Sequence, residues 1–267
     1  MWPEGFRCAV AFTFDFDAET MWISDNARNS DMPVVLSQGR FAPRVAIPLI
    51  LALLGRYGVK VTFFVPGKVA QEYPGSVQAI VAAGHELGVH GYEHLSPAQL
   101  DAIEEENRLV RTRGILESFG VKVSGYRAPQ WEFSGRTLSL LDRHQFAYSS
   151  NMMDDIRPYR HPGTEVIELP VHWMLDDAAH FYFDRENWEK KIATISEVRH
   201  IWEAELLGIH DLGGSFILTM HPQIIGRPSR LQMLDEFIGF VESLDSVWIA
   251  TCGEIAERSR QMLGSSH

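Results

Sequence analysis

Cys8-Ala9-Val10-Ala11-Phe12-Thr13-Phe14-Asp15-Phe16-Asp17 is the stretch on which the reading of this chain turns. Residues 8–14 are apolar, aromatic or branched, without the polar alternation of a strand that shows one face to water; the pattern is that of a strand covered on both faces. Two carboxylates follow at its C-terminal end. A second run ends in a similar way: Leu87-Gly88-Val89 leads into His90-Gly91-Tyr92-Glu93-His94, with two imidazoles four positions apart. If the chain coils there, both rings fall on one side of a single turn and reach one ion. The chain has eleven histidines, so a pair at this spacing arises easily, and two hydrogen-bonded loop histidines are the plain alternative. The carboxylates tip the balance, because a borderline divalent metal takes two histidine nitrogens and a carboxylate and keeps a position open.

Working outward, residues 59–65, 85–89, 121–126, 166–169, 215–220 and 246–250 read as further strands, with a short one near 146–149. Helical patterns lie between them, over 44–57, from Pro66-Gly67 to Ala83-Gly84, and over 96–119, 134–144, 186–207, 229–244 and 252–262. Pro48 must sit in or near the first turn of its helix, since an interior proline would break it. Ser96-Pro97-Ala98-Gln99 has the form of an N-cap, a first-turn proline and a capping-box partner. Residues 18–43 and 151–164 lose periodicity and read as loops, the first long enough to be a lid, a pocket wall or a subunit contact.

Short buried strands alternating with helices imply a parallel β/α architecture, and 267 residues without a linker fit one domain, residues 1–267, closed into a barrel. Asp15, Asp17, His90, His94, Arg127 and His221 each stand just past the C-terminal end of a strand. In such a barrel that places them around one mouth.

Composition narrows the function. A formal charge of -11 disfavours phosphate backbones and anionic lipid as partners. With 45% hydrophobic residues and mean hydropathy near zero, the chain can bury a large core, and no apolar run reads as long enough for a bilayer. No basic segment precedes an apolar one at the N-terminus, so a soluble, cytoplasmic protein is expected. Cys8 and Cys252 are expected as reduced, small apolar side chains.

These residues together resemble the polysaccharide deacetylase family, also known as the NodB-homology or carbohydrate esterase 4 family. The resemblance is carried by Thr13-Phe14-Asp15-Phe16-Asp17, His90-Gly91-Tyr92-Glu93-His94, Gly125-Tyr126-Arg127-Ala128-Pro129, Leu169-Pro170 with Trp173, and Leu218-Thr219-Met220-His221-Pro222, in the family's order. It implies a distorted barrel of about seven strands, α/β in class and TIM-like, that holds a zinc-like ion and hydrolyses an acetamide. By position it makes Asp17, His90 and His94 the metal ligands, Asp15 the general base, Arg127 the residue that orients Asp15, and His221 the general acid. Secreted members typically have adjacent aspartates and a Ser or Thr after the first histidine; here Phe16 separates the aspartates and Gly91 follows His90. Asp15-Phe16-Asp17-Ala18-Glu19, Ala128-Pro129-Gln130-Trp131-Glu132-Phe133 and Trp173-Met174-Leu175-Asp176-Asp177 look more like an intracellular branch. That branch is similar to cyclic imide hydrolases, metal-independent allantoinases and some peptidoglycan deacetylases, and it implies a homo-oligomer, a tetramer.

Amide hydrolysis needs a nucleophilic water, positive charge for the carbonyl oxygen and a proton for the leaving nitrogen, and one Zn²⁺ with Asp15 and His221 would supply them. Trp22, Tyr92, Trp131 and Trp173, with Pro129, are expected either to line the substrate pocket or to pack the barrel top. Glu19, Asp176 and Asp177 read as solvated loop carboxylates. The expected function is metal-dependent hydrolysis of a small cyclic imide, amide or N-acyl compound, favoured by the absent export signal. The alternatives are deacetylation of an N-acetyl sugar polymer, which needs an open groove, and a non-catalytic carbohydrate- or metabolite-binding barrel.

Overall fold

The computed structural model describes residues 2–183 and 189–264. Its centre is β1 (Cys8–Asp15), buried along its whole length. On one side β1 pairs in parallel with β8 (Ser215–Met220). On the other it pairs with β2 (Thr62–Val65) near its C-terminal end and with β9 (Val247–Ile249) near its start, again in parallel. Beyond β2 come β3 (Glu86–Val89), β4 (Gly125–Tyr126), β5 (Tyr148–Ser149) and β7 (Ile167–Glu168), all parallel, with β6 (Tyr159–Arg160) antiparallel at the edge. The sheet curls along a path of seven parallel strands from β7 to β8, and among the described residues β8 meets the far side only through a single parallel bridge from Thr219 to Asp176, which makes it the distorted, incompletely closed (β/α)7 barrel expected from the sequence.

Alternation along β1 explains where the chemistry lands. Cys8, Val10, Phe12, Phe14 and Phe16 join the large core between sheet and helices, whereas Ala9 and Ala11 face a second cluster with Phe64, Tyr148, Ile167 and Ile217 inside the barrel. Side chains two apart share a face, so Thr13, Asp15 and Asp17 continue the inner row. Small residues fill the narrow interior, and the row becomes polar only where the barrel opens.

The helices are α1 (Thr20–Asp25), α2 (Pro33–Phe41), α3 (Ile47–Tyr57), α4 (Gly67–Glu72), α5 (Pro74–Ala82), α6 (Ala102–Glu117), α7 (Thr137–Arg143), α8 (Asp177–Phe181), α9 (Ile195–Leu212), α10 (Pro222–Ile225), α11 (Pro228–Ser243) and α12 (Cys252–Gly264). Residues 18–43 are therefore not a loop. Two prolines and Gly39 masked the helices there: Pro33 opens α2 and Pro43 sits in a π-helical turn over Ala42–Ala46, whereas Pro48 lies in the first turn of α3, as expected. The wider π turn accommodates a residue that cannot donate to the ladder. Gly39 is required because a Cβ there would lie 2.5 Å from Glu19 N and 2.6 Å from Ala18 C, so α2 rests directly on the backbone that follows Asp17. The joined run Pro33–Tyr57 is, by length and composition, apolar enough to cross a membrane, contrary to the sequence reading. In this fold Ile47, Ile50, Leu53 and Leu54 of α3 belong to the core.

Other boundaries shift for local reasons. The helix expected from Ser96 begins at Ala102, because Asp101 caps it by accepting from the amides of Ile103 and Glu104, while Ser96 caps only a short 3-10 turn, Pro97–Gln99. Residues 151–164 contain β6, and β4 is shorter than expected. The helix expected over 186–207 is α9, started by a Thr194/Glu197 capping box; residues 186–188 of that expectation lie outside the described residues.

Candidate active site

Asp15 ends β1 and accepts a 2.8 Å bond from Arg127 Nη1, which also donates to Thr13 Oγ1 at 2.8 Å. Arg127 follows β4 and is fully buried; its other nitrogens donate to Ser150 O and Ser150 Oγ, and its guanidinium lies 4.2 Å over the Phe64 ring. Burial by itself would raise the Asp15 carboxyl, yet the Arg127 charge and hydrogen bond hold it below the usual carboxylate range. A buried arginine needs such a partner, and Asp15 is it.

Asp17 presents the opposite condition. It is completely buried, and neither carboxylate oxygen has a hydrogen-bond partner. Around it stand His90 Nε2 at 3.4 Å, His94 Nε2 at 3.7 Å and His221 Nε2 at 3.6 Å. Burial pushes the carboxyl up to about 6. His90 Nδ1 lies 2.9 Å from the carbonyl oxygen of Arg127, which can only accept. The proton of neutral His90 is thus on Nδ1, and Nε2 turns a bare lone pair towards Asp17. His94 Nδ1 is engaged by Ser24 Oγ at 2.9 Å, and burial holds its ring neutral, well below the usual histidine range. Lone pairs facing an unpartnered carboxylate repel unless a cation lies between them. Asp17, His90 and His94 also offer one ligand atom each within 4.8 Å of one another. The donor set and the orphaned oxygens fit a divalent ion, with the outer nitrogens pinned in the way metal-binding imidazoles usually are.

The turn carrying the two histidines is not helical. Gly91 and His94 take left-handed backbone angles, φ 64° and 61°, which swing the rings to 5.1 Å between centroids. Such angles are costly for a non-glycine residue and concentrate at functional sites.

On the far side of Asp17, His221 follows β8 and its Nδ1 lies 2.7 Å from Asp177 Oδ1, while both Asp177 oxygens accept from the His221 amide at 3.1 and 3.0 Å. Burial alone would lower the His221 pKa; Asp176 and Asp177 reverse this and raise it well above the ordinary value. Asp176, Asp177 and Glu19 are buried, contrary to their reading as solvated loop groups. Asp177 holds His221, Asp176 accepts from Ala178 N, and Glu19 receives the Tyr73 hydroxyl. Ser24 was hidden in the misread segment, and no pattern in the sequence marks it; Asp177 lies in the Trp173-Met174-Leu175-Asp176-Asp177 fragment that carries the branch resemblance, a signal that could have found it.

The aromatic residues divide. Trp131 and Trp173 meet at 4.6 Å between centroids with their planes tilted by 42°, Trp173 being half exposed, and Pro129 packs beside Gly91. Trp22 walls a cavity of about 390 Å³ that reaches the site through Ser24. Tyr92 does not join them: its hydroxyl donates to Gln71 of α4 and its ring lies 4.0 Å beneath the guanidinium of Arg111 on α6, so it seals the outer helix layer. The His-Gly-Tyr turn sends Tyr92 away from the side that bears the histidines.

A barrel whose C-terminal mouth gathers buried carboxylates and imidazoles around a group that could hold a metal suits a hydrolase, and the comparisons with known proteins give its class. The polysaccharide deacetylase family model matches residues 38–149. The chain is 39% identical to a Mycobacterium smegmatis protein assigned to the polysaccharide deacetylases; the two structures align over 98% of this chain and 93% of that one, with a TM-score of 0.95. It is 29% identical to the peptidoglycan deacetylase of Helicobacter pylori, over 93% of this chain and 94% of the relative. A PuuE allantoinase has the same fold, with a TM-score of 0.85 at 21% identity, covering all of this chain and 94% of the other. The chain belongs to the polysaccharide deacetylase family.

Proposed function

We propose that this protein removes the acetyl group from an N-acetylated amino sugar of the peptidoglycan type. The unpartnered carboxylate of Asp17 carries the reading: buried beside three imidazole nitrogens, it marks a cation site with a base on one flank and an acid on the other. The likeness to the Helicobacter pylori peptidoglycan deacetylase along nearly the whole of both chains supports an acetamide as the bond cleaved. Asp17, His90 and His94 would hold the ion, and two nitrogens with one carboxylate suit Zn²⁺. When bound, the ion supplies positive charge for the developing oxyanion and makes water more acidic.

The chain's own residues do the rest. Asp15, kept ionised by Arg127, takes the proton of the attacking water. Thr13 and Ser150 fix the guanidinium, so Asp15 cannot swing away. His221 has Nδ1 against Asp177 and Nε2 towards Asp17, so an imidazolium there delivers its Nε2 proton to the departing nitrogen. Asp177 keeps that ring charged and oriented.

Hydrolysis of a small cyclic amide is the second reading, favoured by enclosure: Asp15, Asp17, His90, His94 and His221 are each no more than 6% exposed, and α1 and α2 cover the segment that follows Asp17. The test is acetate release by the metal-loaded protein from N-acetylglucosamine oligomers and N-acetylated muropeptides, run beside ring opening of hydantoin, succinimide and dihydrouracil. Ring opening without acetate from any amino sugar overturns the deacetylase reading.

A further inference from the structure

Two arginines just beyond His221 are built against their own electrostatics. Arg227 is the N-cap of α11 and Arg230 lies in its first turn; no acidic residue occupies that turn and no side chain caps it. Cations at the positive end of a helix repel the macrodipole and each other. Burial lowers the Arg230 pKa, and the charge of Arg227 adds to it. Among the described residues neither arginine has an ion pair, in a chain whose net charge is -11. Arg227 is parked 4.7 Å over the Phe41 ring and Arg230 4.5 Å over Phe181, with one Arg230 nitrogen on Ile224 O; the nearest acid that influences Arg230 is Asp177, already committed to His221.

Both arginines line a cavity of about 390 Å³ walled by Trp22, Phe41 and Phe181, with no acidic residue among the described residues of its lining. Gln223, two residues past His221, lines it too. It is 5% exposed, its Oε1 has no partner, and its Nε2 reaches only Met21 Sδ at 3.5 Å. An uncapped helix start, two unpaired guanidinium groups and an orphaned buried carboxamide converge on one space beside the general acid. The first two suit an oxyanion, and the third suits an O–H or N–H next to it.

We propose that this cavity is a subsite for a substrate carboxylate, held by Arg227 and Arg230, with Gln223 Oε1 accepting from a neighbouring hydroxyl or amide. Resting on the deacetylase reading, this narrows the substrate to an N-acylated amino sugar that bears an acidic arm. Arginine suits the role because its planar fork matches a carboxylate with two parallel bonds.

The test is binding. N-acetylmuramic acid and N-acetylglucosamine differ by the lactyl carboxylate, so their dissociation constants are measured by calorimetry on wild type and on Arg227→Gln/Arg230→Gln, both metal-loaded. The acidic sugar is expected to bind wild type about tenfold tighter or more, the advantage shrinking with salt. The double variant should lose that advantage while its affinity for the neutral sugar, melting temperature and metal content hold. Equal binding of the two sugars to wild type, or a preference that survives in the variant, overturns the subsite. Failure to release acetate from any sugar strikes the deacetylase reading alone, because the binding preference is read independently of turnover.

Discussion

The barrel holds a carboxylate at each end of its sheet, Glu86 half-buried at one and Asp17 fully buried at the other, and the two are treated in opposite ways. At the N-terminal end Glu86 is satisfied on both oxygens: Thr62 Oγ1 donates at 2.6 Å, Gly253 N at 3.0 Å and the Tyr148 hydroxyl at 2.9 Å. At the C-terminal end Asp17 has no donor on either oxygen. An unpaired buried polar group costs roughly 1–3 kcal/mol, and more when charged. A fold that can complete the hydrogen bonds of Glu86 but not those of Asp17 has left the second incomplete for a ligand. One acid closes the floor, and the other opens the chemistry.

The sharpest way to break that contrast is to neutralise each acid. Asp17→Asn should release the ion and abolish turnover; changes one shell further out cost metal sites about 10–100-fold in affinity, and a lost ligand costs more. The metal-free variant should melt no lower than metal-free wild type at pH 8, because the substitution removes a buried charge without a partner. Glu86→Gln should do the reverse, lowering stability by about 1–3 kcal/mol with kcat unchanged. Metal analysis, melting curves and initial rates decide the matter. A destabilised Asp17→Asn apoprotein would mean that the two ends do not differ.

The next effect belongs to His221. The carboxylates beside it lift its pKa well above 6.5, so the imidazolium persists through neutral pH and the alkaline limb of kcat lies correspondingly high. Asp177→Asn removes one negative neighbour, so the proton is held less tightly and that limb moves down towards 6.5, with a rate loss of about 100-fold or more. A pH–rate profile reads both. An alkaline limb that stays in place would remove Asp177 from the acid's support.

Gly91 gives a smaller effect. A Cβ there would sit 3.0 Å from Pro129 Cγ on a residue whose φ is 64°. Gly91→Ser, which restores the residue type usual after the first histidine in secreted members, should cost about 1–2 kcal/mol in left-handed strain. It should also weaken metal binding several-fold by shifting His90. Metal titration with unchanged affinity would show that the turn tolerates the serine.

The inner row of the barrel was legible because strand periodicity is rigid. Given buried strands, Asp15 and Asp17 had to share a face, and residues past strand ends had to share a mouth. The covering of that mouth was not legible. Pro33, Pro43 and Gly39 each read locally as breakers, yet a first-turn position, a π turn and a backbone crossing accommodate all three. Asp177 and Glu19 were misread for a related reason: Asp177 turns inward onto His221 and Glu19 is met by the Tyr73 hydroxyl, tertiary facts that composition does not encode. Tyr92 shows the limit of adjacency, since two residues from His90 the chain already faces the outer helices.

The smallest effect returns to the floor, where His85 precedes Glu86. Its Nδ1 accepts from Val61 N, its ring lies 5.7 Å from that of Phe63, and burial, with Lys60 adding, lowers its pKa to about 4. The unfolded chain takes up this proton below about 6.5, whereas the folded protein refuses it until about pH 4. Between those values the unfolded state binds more protons, so stability rises with pH, and conversely it is lost as pH falls from about 6.5 towards 4. Discounted for partial solvent access, the loss amounts to about 1–2 kcal/mol. His85→Asn keeps an acceptor for Val61 N and removes the titration, so melting temperatures of the two proteins, measured without metal, should converge towards pH 4 and separate above 6.5. Parallel curves across that window would mean that the floor does not sense protons, leaving the acid sensitivity of the fold to the mouth alone.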